Sequence, residues 1–263
     1  MRVNSGTPVL FIHRATDEGD IYFISNQSET PVDINPSFRV AGKLPELWNP
    51  LTAEIRLLPE FTCADGVTTV PVRLEGFESS FIIFRKKGTP AKTTARNYPV
   101  KEVLATVSSP WQVDFEKGKR GPEEAVTFPA LQDWTESTDP SIRYFSGKAI
   151  YTNRITLDEL PQKALYLDLG KVMVMAKVKI NGQYVGGVWT TPYRLPVGDF
   201  LRKGENLIEV EVVNNWRNRL IGDASLPEKE RGTWTNVNPW NADSPLQSSG
   251  LIGPVEIQAY SYE

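Results

Sequence analysis

The sequence predicts an all-β chain made of two β-sandwich modules, the second a jelly roll. Three observations carry that prediction. Apolar and polar residues alternate with period two in segment after segment. Clusters of Gly, Pro, Asn and Asp separate those segments at short intervals. The stretch 165–220, where the elements are read most closely, lacks the apolar three-and-four spacing that an amphipathic helix needs.

The first module spans residues 1–87. Its strand patterns are Val9–Arg14, Asp20–Asn26, Phe38–Ala41, Glu54–Leu58, Thr68–Leu74 and Ser80–Arg85. Turn signals lie between them at Asp17-Glu18-Gly19, Asn26-Gln27-Ser28, Asn35-Pro36, Asn49-Pro50 and Asp65-Gly66. Pro71 has no amide hydrogen, which places its strand at a sheet edge. The chain enters a strand pattern almost at once, and MRVNSGTPVL lacks the apolar core of a signal peptide. That beginning points to a truncated boundary, and the first module is either complete or a remnant. Residues 88–99 have no apolar period and read as a linker.

The second module spans residues 100–263. Strands are predicted at Trp111–Phe115, Lys148–Leu157, Leu165–Leu169, Ala176–Ile180, Gln183–Val185, Leu207–Val213 and Val255–Tyr260. Ala176, Val178 and Ile180 alternate with Lys177 and Lys179, so one face is buried and the other wet. Asn181-Gly182 follows directly and tolerates the positive φ angles of a type I′ hairpin turn. Lys203-Gly204 makes a second turn before Ile208, Val210 and Val212 resume the inward face. The intervals 116–147 and 220–250 are long and rich in Pro, Gly, Asn and Trp, and read as loops.

Composition excludes several functions. There are 29 basic and 32 acidic residues, a net charge of −3, which gives no field for nucleic acid or anionic lipid. No apolar run reaches the ~20 residues of a membrane span, so no membrane insertion is expected. Cys63 is the only cysteine, which precludes an intrachain disulfide and reads as a buried or incidental thiol. His13 is the only histidine and reads as a structural side chain with a hydrogen-bonded ring. It leaves no multi-histidine metal site. GxSxG, P-loop and strand-following GxGxxG motifs are absent.

The run LDLGKVMVMAKVKINGQYVGGVWTTPYRLPVGDFLRKGENLIEVEVVNNW resembles the galactose-binding-like jelly roll of the β-galactosidase and β-glucuronidase superfamily of glycoside hydrolases. Three further segments narrow the resemblance: FIHRATDEGDIYFISNQ, FRVAGKLPELWNPLTAEI, and YFSGKAIYTNRITL with NNWRNRLIGD and GLIGPVEI. In that order they resemble the C-terminal region of α-L-rhamnosidase-type glycoside hydrolases of family 106. Members of that family carry an upstream (β/α) barrel with two catalytic carboxylates, and nothing here matches it. The resemblance therefore implies a non-catalytic accessory region that supports such a barrel and contacts carbohydrate; the alternative is a stand-alone carbohydrate-binding protein. It also implies a periplasmic or secreted location.

Glycoside hydrolysis needs two carboxyl groups roughly 5–10 Å apart. Glu123, Glu124, Glu228 and Glu230 read as solvated loop charges, and Asp223 has no evident partner in the sequence. No catalytic residue is assigned. Sugars instead need aromatic platforms beside bidentate polar groups. Trp134, Trp189, Trp216, Trp234 and Trp240 lie in the second module, the last three in segments rich in Asn, Arg and Asp. Trp216, Asn218, Arg219, Asp223, Trp234, Asn238 and Trp240 are the carbohydrate-binding candidates. The competing reading makes Trp189 and Trp216 inter-sheet core and packs the loops on another domain. Such jelly rolls often hold a structural calcium, but oxygen ligands leave no spacing signature here and no residue is assigned. No cofactor is required, and the expected partner is carbohydrate or an adjacent catalytic domain.

Overall fold

The computed structural model describes residues 1–3, 6–91, 93–108 and 110–262. It divides into two compact units, residues 1–101 with the chain end from Tyr260, and residues 102–259. Both are β-sandwiches.

In the first unit the strands are β1 (Val9–Ala15), β2 (Asp20–Asn26), β3 (Val32–Ile34), β4 (Ser37–Phe38), β5 (Lys43–Trp48), β6 (Ile55–Leu57), β7 (Thr62–Ala64), β8 (Val67–Thr69), β9 (Val72–Leu74) and β10 (Ser79–Lys87). The main sheet has the order β1-β2-β10-β5-β6, with β3-β9 and β4-β8-β7 as smaller sheets. Their inward residues form one core around Tyr22, Ile24, Phe38, Val72, Ile82 and Phe84. The predicted strand Thr68–Leu74 is broken at Val70-Pro71 into β8 and β9, because Pro71 cannot donate to a ladder. Strand β5 carries no readable alternation because Pro45, Glu46 and Leu47 are buried in succession, Leu47 toward the core and Glu46 on the opposite face. Glu46 is 1 % exposed and is held by Arg85 Nε at 2.8 Å, Trp48 Nε1 at 3.0 Å and Lys86 Nζ at 2.9 Å. The stretch 88–99 ends inside this unit rather than as free linker. Asn97 is fully buried, its Nδ2 donating to Glu60 O and Pro71 O and its Oδ1 accepting from Glu60 N.

Burial pulls the Glu46 carboxyl upward, but the hydrogen bonds from Lys86, Arg85 and Trp48 outweigh it and hold the group below its usual value. A carboxylate depressed in the folded state contributes stability that is complete above the unfolded pKa of about 4.3 and is lost as pH falls through the folded value. Urea midpoints of the first unit should therefore fall as pH drops below about 4.3, and Glu46→Gln should flatten that dependence. An unaltered acid profile in the variant would assign the loss elsewhere.

The second unit holds β11 (Val100–Thr106), β12 (Trp111–Phe115), β13 (Val126–Phe128), helix α1 (Pro140–Arg143), β14 (Lys148–Leu157), β15 (Ala164–Asp168), β16 (Lys171–Met173), β17 (Met175–Ile180), β18 (Gln183–Val188), β19 (Arg194–Pro196), β20 (Gly204–Val213), helix α2 (Arg217–Ala224), β21 (Gly250–Gly253) and β22 (Glu256–Ser261). A six-stranded sheet, β13-β12-β14-β20-β17-β18, and a four-stranded sheet, β11-β22-β15-β19, supply the two layers, with β16-β21 paired separately. Along β14 and β20 every second residue is buried, and cross-strand partners such as Ala149 with Val212 and Tyr151 with Val210 put those residues on one face. The Asn181-Gly182 turn has φ of 53° and 79°, both positive as a type I′ turn requires.

The Gly204-Glu205-Asn206 motif has a structural reason. Asn206 is fully buried; its Nδ2 donates to Arg202 O and Gly204 O, and its Oδ1 accepts from Arg202 N and Asn181 Nδ2. Asn181 in turn accepts from Leu207 N and donates to Phe200 O. The hairpin turn and the strand entry are thus one amide network. Asn206→Ala should cost about 1–3 kcal/mol, the cost of orphaning buried backbone groups. The check is the denaturant midpoint, with the slope unchanged.

Candidate functional site

Of the seven predicted site residues, Trp216 immediately precedes α2, Asn218, Arg219 and Asp223 lie on it, and the others lie on the segment 225–247 that follows. The composition of this region reads as loop, but Arg217–Ala224 form the two-turn helix α2. No apolar period announces it because its buried residues are Asn218, Arg219, Ile221, Gly222 and Asp223, mostly polar. Asn215 Oδ1 accepts the first helical amide, from Arg217. Gly222 is required by packing: a Cβ there would lie 2.7 Å from the Tyr144 ring.

Three of the four polar candidates, Asn218, Arg219 and Asp223, are buried and face protein rather than solvent. Asn218 donates to Gln247 O at 2.6 Å and to Ser249 Oγ at 3.1 Å, and accepts from Gln247 N at 2.8 Å. Asp223 Oδ2 accepts from Gly232 N at 2.8 Å, Thr233 N at 2.9 Å and Thr233 Oγ1 at 2.7 Å. Its other oxygen lies 3.6 Å from Arg120 Nη1 and 3.7 Å from Arg219 Nη1. Arg219 is 8 % exposed, and burial holds its guanidinium below the usual value against the opposing pull of Asp223. Asp223 therefore has partners that sequence spacing could not show, since Arg120 is about a hundred residues away. All these groups pin the ends and middle of 225–247 to the sandwich. Asn238 is exposed and accepts from Trp240 N.

The tryptophans divide. Trp134 is fully buried in the sandwich core. Trp189 and Trp216, core in the competing reading, are exposed, as is Trp234, at 62 %, 56 % and 88 %. Trp240 is half-buried beneath Arg217, whose guanidinium sits 4.2 Å from the ring centroid while donating to Pro245 O. No ring contact among the described residues joins Trp216, Trp234 and Trp240 to one another. The structure thus brings the polar candidates into a frame and leaves the indoles as separate outward contacts. Beside them an open cleft of about 300 Å³ is lined by Thr135, Arg143, Tyr144, Ile221, Ser244 and Pro245. Sequence reasoning missed Arg120, Arg217 and Gln247, whose roles depend on contacts far along the chain.

Other expectations resolve locally. His13 Nε2 lies 3.0 Å from Asp20 Oδ1 and its ring stacks 4.1 Å from Tyr22, a structural arrangement. Cys63 is exposed and unbonded. Glu123, Glu124, Glu228 and Glu230 are exposed. Among the described residues no group of three His, Cys, Asp or Glu side chains gathers to hold a metal ion, so no residue is assigned to calcium. No helix among them is long and apolar enough to cross a membrane.

Comparison with known proteins gives this geometry a family context. Residues 1–62 match the family model described as alpha-L-rhamnosidase. Residues 131–242 match the glycosyl hydrolase 2 galactose-binding domain-like model. A solved rhamnosidase from Novosphingobium sp. PP1Y superposes with a TM-score of 0.83 at 39 % identity, covering 97 % of this chain and 24 % of that one. A curated protein of Formosa agariphila, provisionally named a beta-glucuronidase, is 33 % identical over 233 residues, 77 % of this chain and 19 % of its own length. The chain thus spans about a fifth to a quarter of the relatives it matches. Across its two units it resembles α-L-rhamnosidase-type glycoside hydrolases of family 106, and its second unit is a galactose-binding-like domain.

Proposed function

We propose that the chain is a non-catalytic accessory region of a longer α-L-rhamnosidase-type glycoside hydrolase, exported from the cytoplasm, and that its α2 surface contacts carbohydrate. One observation carries the carbohydrate reading. Trp216 and Trp234 remain exposed on a segment whose polar groups are spent on holding it in place. Ordered, solvent-facing indoles offer apolar faces for sugar CH groups at little entropic cost. Titration with rhamnose-containing and galacturonan oligosaccharides should give heat and a shift in tryptophan emission. Trp234→Ala and Trp216→Ala should each weaken binding by about three- to tenfold. No heat together with an unmoved emission spectrum would sink the carbohydrate reading. The purified chain should release no nitrophenol from aryl α-rhamnoside.

A second observation supports contact with an adjacent domain. β1 is an edge strand, and Leu10, Phe11 and Ile12 are exposed in succession on both of its faces. Consecutive exposed apolar residues on a sheet edge suit burial against another folded body.

A further inference from the structure

The outer face of the six-stranded sheet holds a groove of about 370 Å³ lined by Ile150, Lys177, Lys179, Tyr184, Glu209 and Glu211. It has a specific backbone cause. On β18, Tyr184 pairs with Lys179, Gly186 with Val178 and Gly187 with Lys177, so Val185 is an extra residue. Val185 packs toward the core, and a Cβ on Gly186 would meet the Leu195 side chain at 3.0 Å, so both of these residues are turned inward. This bulge lets Tyr184 and Gly187 share the outer face although they are three apart; unbroken alternation would separate them. A Cβ on Gly187 would lie 3.7 Å from Tyr184 Oη and 3.8 Å from Lys177 Cγ. The missing side chain therefore leaves open space, a trough, between a phenol and a lysine stem that both line the groove.

The groups around this trough are unevenly engaged. Glu211 pairs with Lys148 at 3.8 Å and with Lys177 at 3.6 Å. Glu209 and Lys179 are direct cross-strand partners, yet among the described residues neither side chain forms an ion pair or hydrogen bond. Tyr184 is 59 % exposed. An open aromatic face thus lies in the same cross-strand row as a free carboxylate acceptor and a free ammonium donor. The lining carries two lysines and two glutamates, so it has no charge preference for a phosphate or polyanion. It has too little apolar wall for a hydrophobic peptide. A neutral sugar ring suits it, with CH groups on the phenol and neighbouring hydroxyls bridging Glu209 and Lys179. The volume is at the small end for ligand sites, which suits one or two sugar units.

We propose that this groove binds a neutral oligosaccharide, as a second carbohydrate contact separate from the α2 surface. It rests on the carbohydrate reading of the chain but uses none of the same residues. The test is saturation-transfer NMR and calorimetry on the full chain with short neutral oligosaccharides of rhamnose, galactose and glucose. Tyr184→Ala should weaken binding by about five- to tenfold. Gly187→Val, which fills the trough and suits a strand, should do the same with an unchanged melting temperature. Trp234→Ala should leave this binding in place. If Tyr184→Ala and Gly187→Val both bind like the parent chain, or the parent binds none of these sugars, the groove proposal is overturned. The α2 reading fails separately, when Trp216→Ala and Trp234→Ala leave the tryptophan emission response intact.

Discussion

Tyr151→Phe is expected to destabilise the second unit by about 2–6 kcal/mol although it removes a single oxygen. The Tyr151 hydroxyl accepts from Trp134 Nε1 at 2.6 Å and from Leu251 N at 3.2 Å, and all three residues are essentially inaccessible to water. Burial pushes the phenol above its usual pKa, so the group stays neutral and keeps its own proton throughout the working range. Phenylalanine keeps the ring packing against Trp111 and Phe128. It leaves two buried N–H donors without an acceptor, at about 1–3 kcal/mol each. For a unit of this size the melting temperature should fall by about 4–24 °C. A change under about 1 °C would mean that water or a shifted backbone reaches those donors. The consequence extends beyond the core, because Trp134 N also donates to Ser249 O and Ser249 is one of the residues gripped by Asn218. The core hydroxyl and the α2 surface are mechanically continuous.

The strands of the second unit were legible because the chemistry that makes them is local. Lys148–Leu157 was read with its observed bounds, and the Asn181-Gly182 turn takes the backbone that its residue types favour. Two elements failed to show where buried polar groups stand in place of apolar ones, and three-residue strands such as β3, β13 and β19 are too short to show a period. β5 hides behind Glu46, and α2 behind Asn218, Arg219 and Asp223. Each is paired or hydrogen-bonded by groups distant in sequence, and no local rule anticipates that pairing.

The same physics separates the candidate residues. The density of Trp, Asn and Arg marks residues 214–241 as the candidate segment. It could not say which side chains face water, since an amide that pins a loop and an amide that meets a ligand are the same residue type. Burial resolves it: Asn218, Arg219 and Asp223 are frame, while Trp216 and Trp234 are surface. The groove at Tyr184 was invisible for a different reason. It depends on the bulge at Val185, and alternation read from sequence places Tyr184 and Gly187 on opposite faces.

The frame can be broken at one atom pair. Asp223→Ala removes the acceptor for Gly232 N, Thr233 N and Thr233 Oγ1, and leaves Arg219 buried beside Arg120 with no counter-charge. Stripping one partner from a buried ionic contact costs about 3–5 kcal/mol. Little of that need appear as global unfolding, because the sheets beneath do not rest on residues 225–247. The expected result is local: amide exchange in 225–247 rises by about a hundredfold or more while exchange in β14 and β20 is unchanged. Asp223→Asn keeps one acceptor oxygen but turns an amide toward two guanidinium groups, so its effect should be intermediate. Sugar-induced change in tryptophan emission should decline in the order parent, Asn, Ala, because an indole on a mobile loop must be ordered before it binds. Binding that persists in Asp223→Ala despite rapid exchange would show that the indoles act without their frame. Slow exchange in that variant would show that Asn218, Asn215 and Arg217 hold the segment without Asp223.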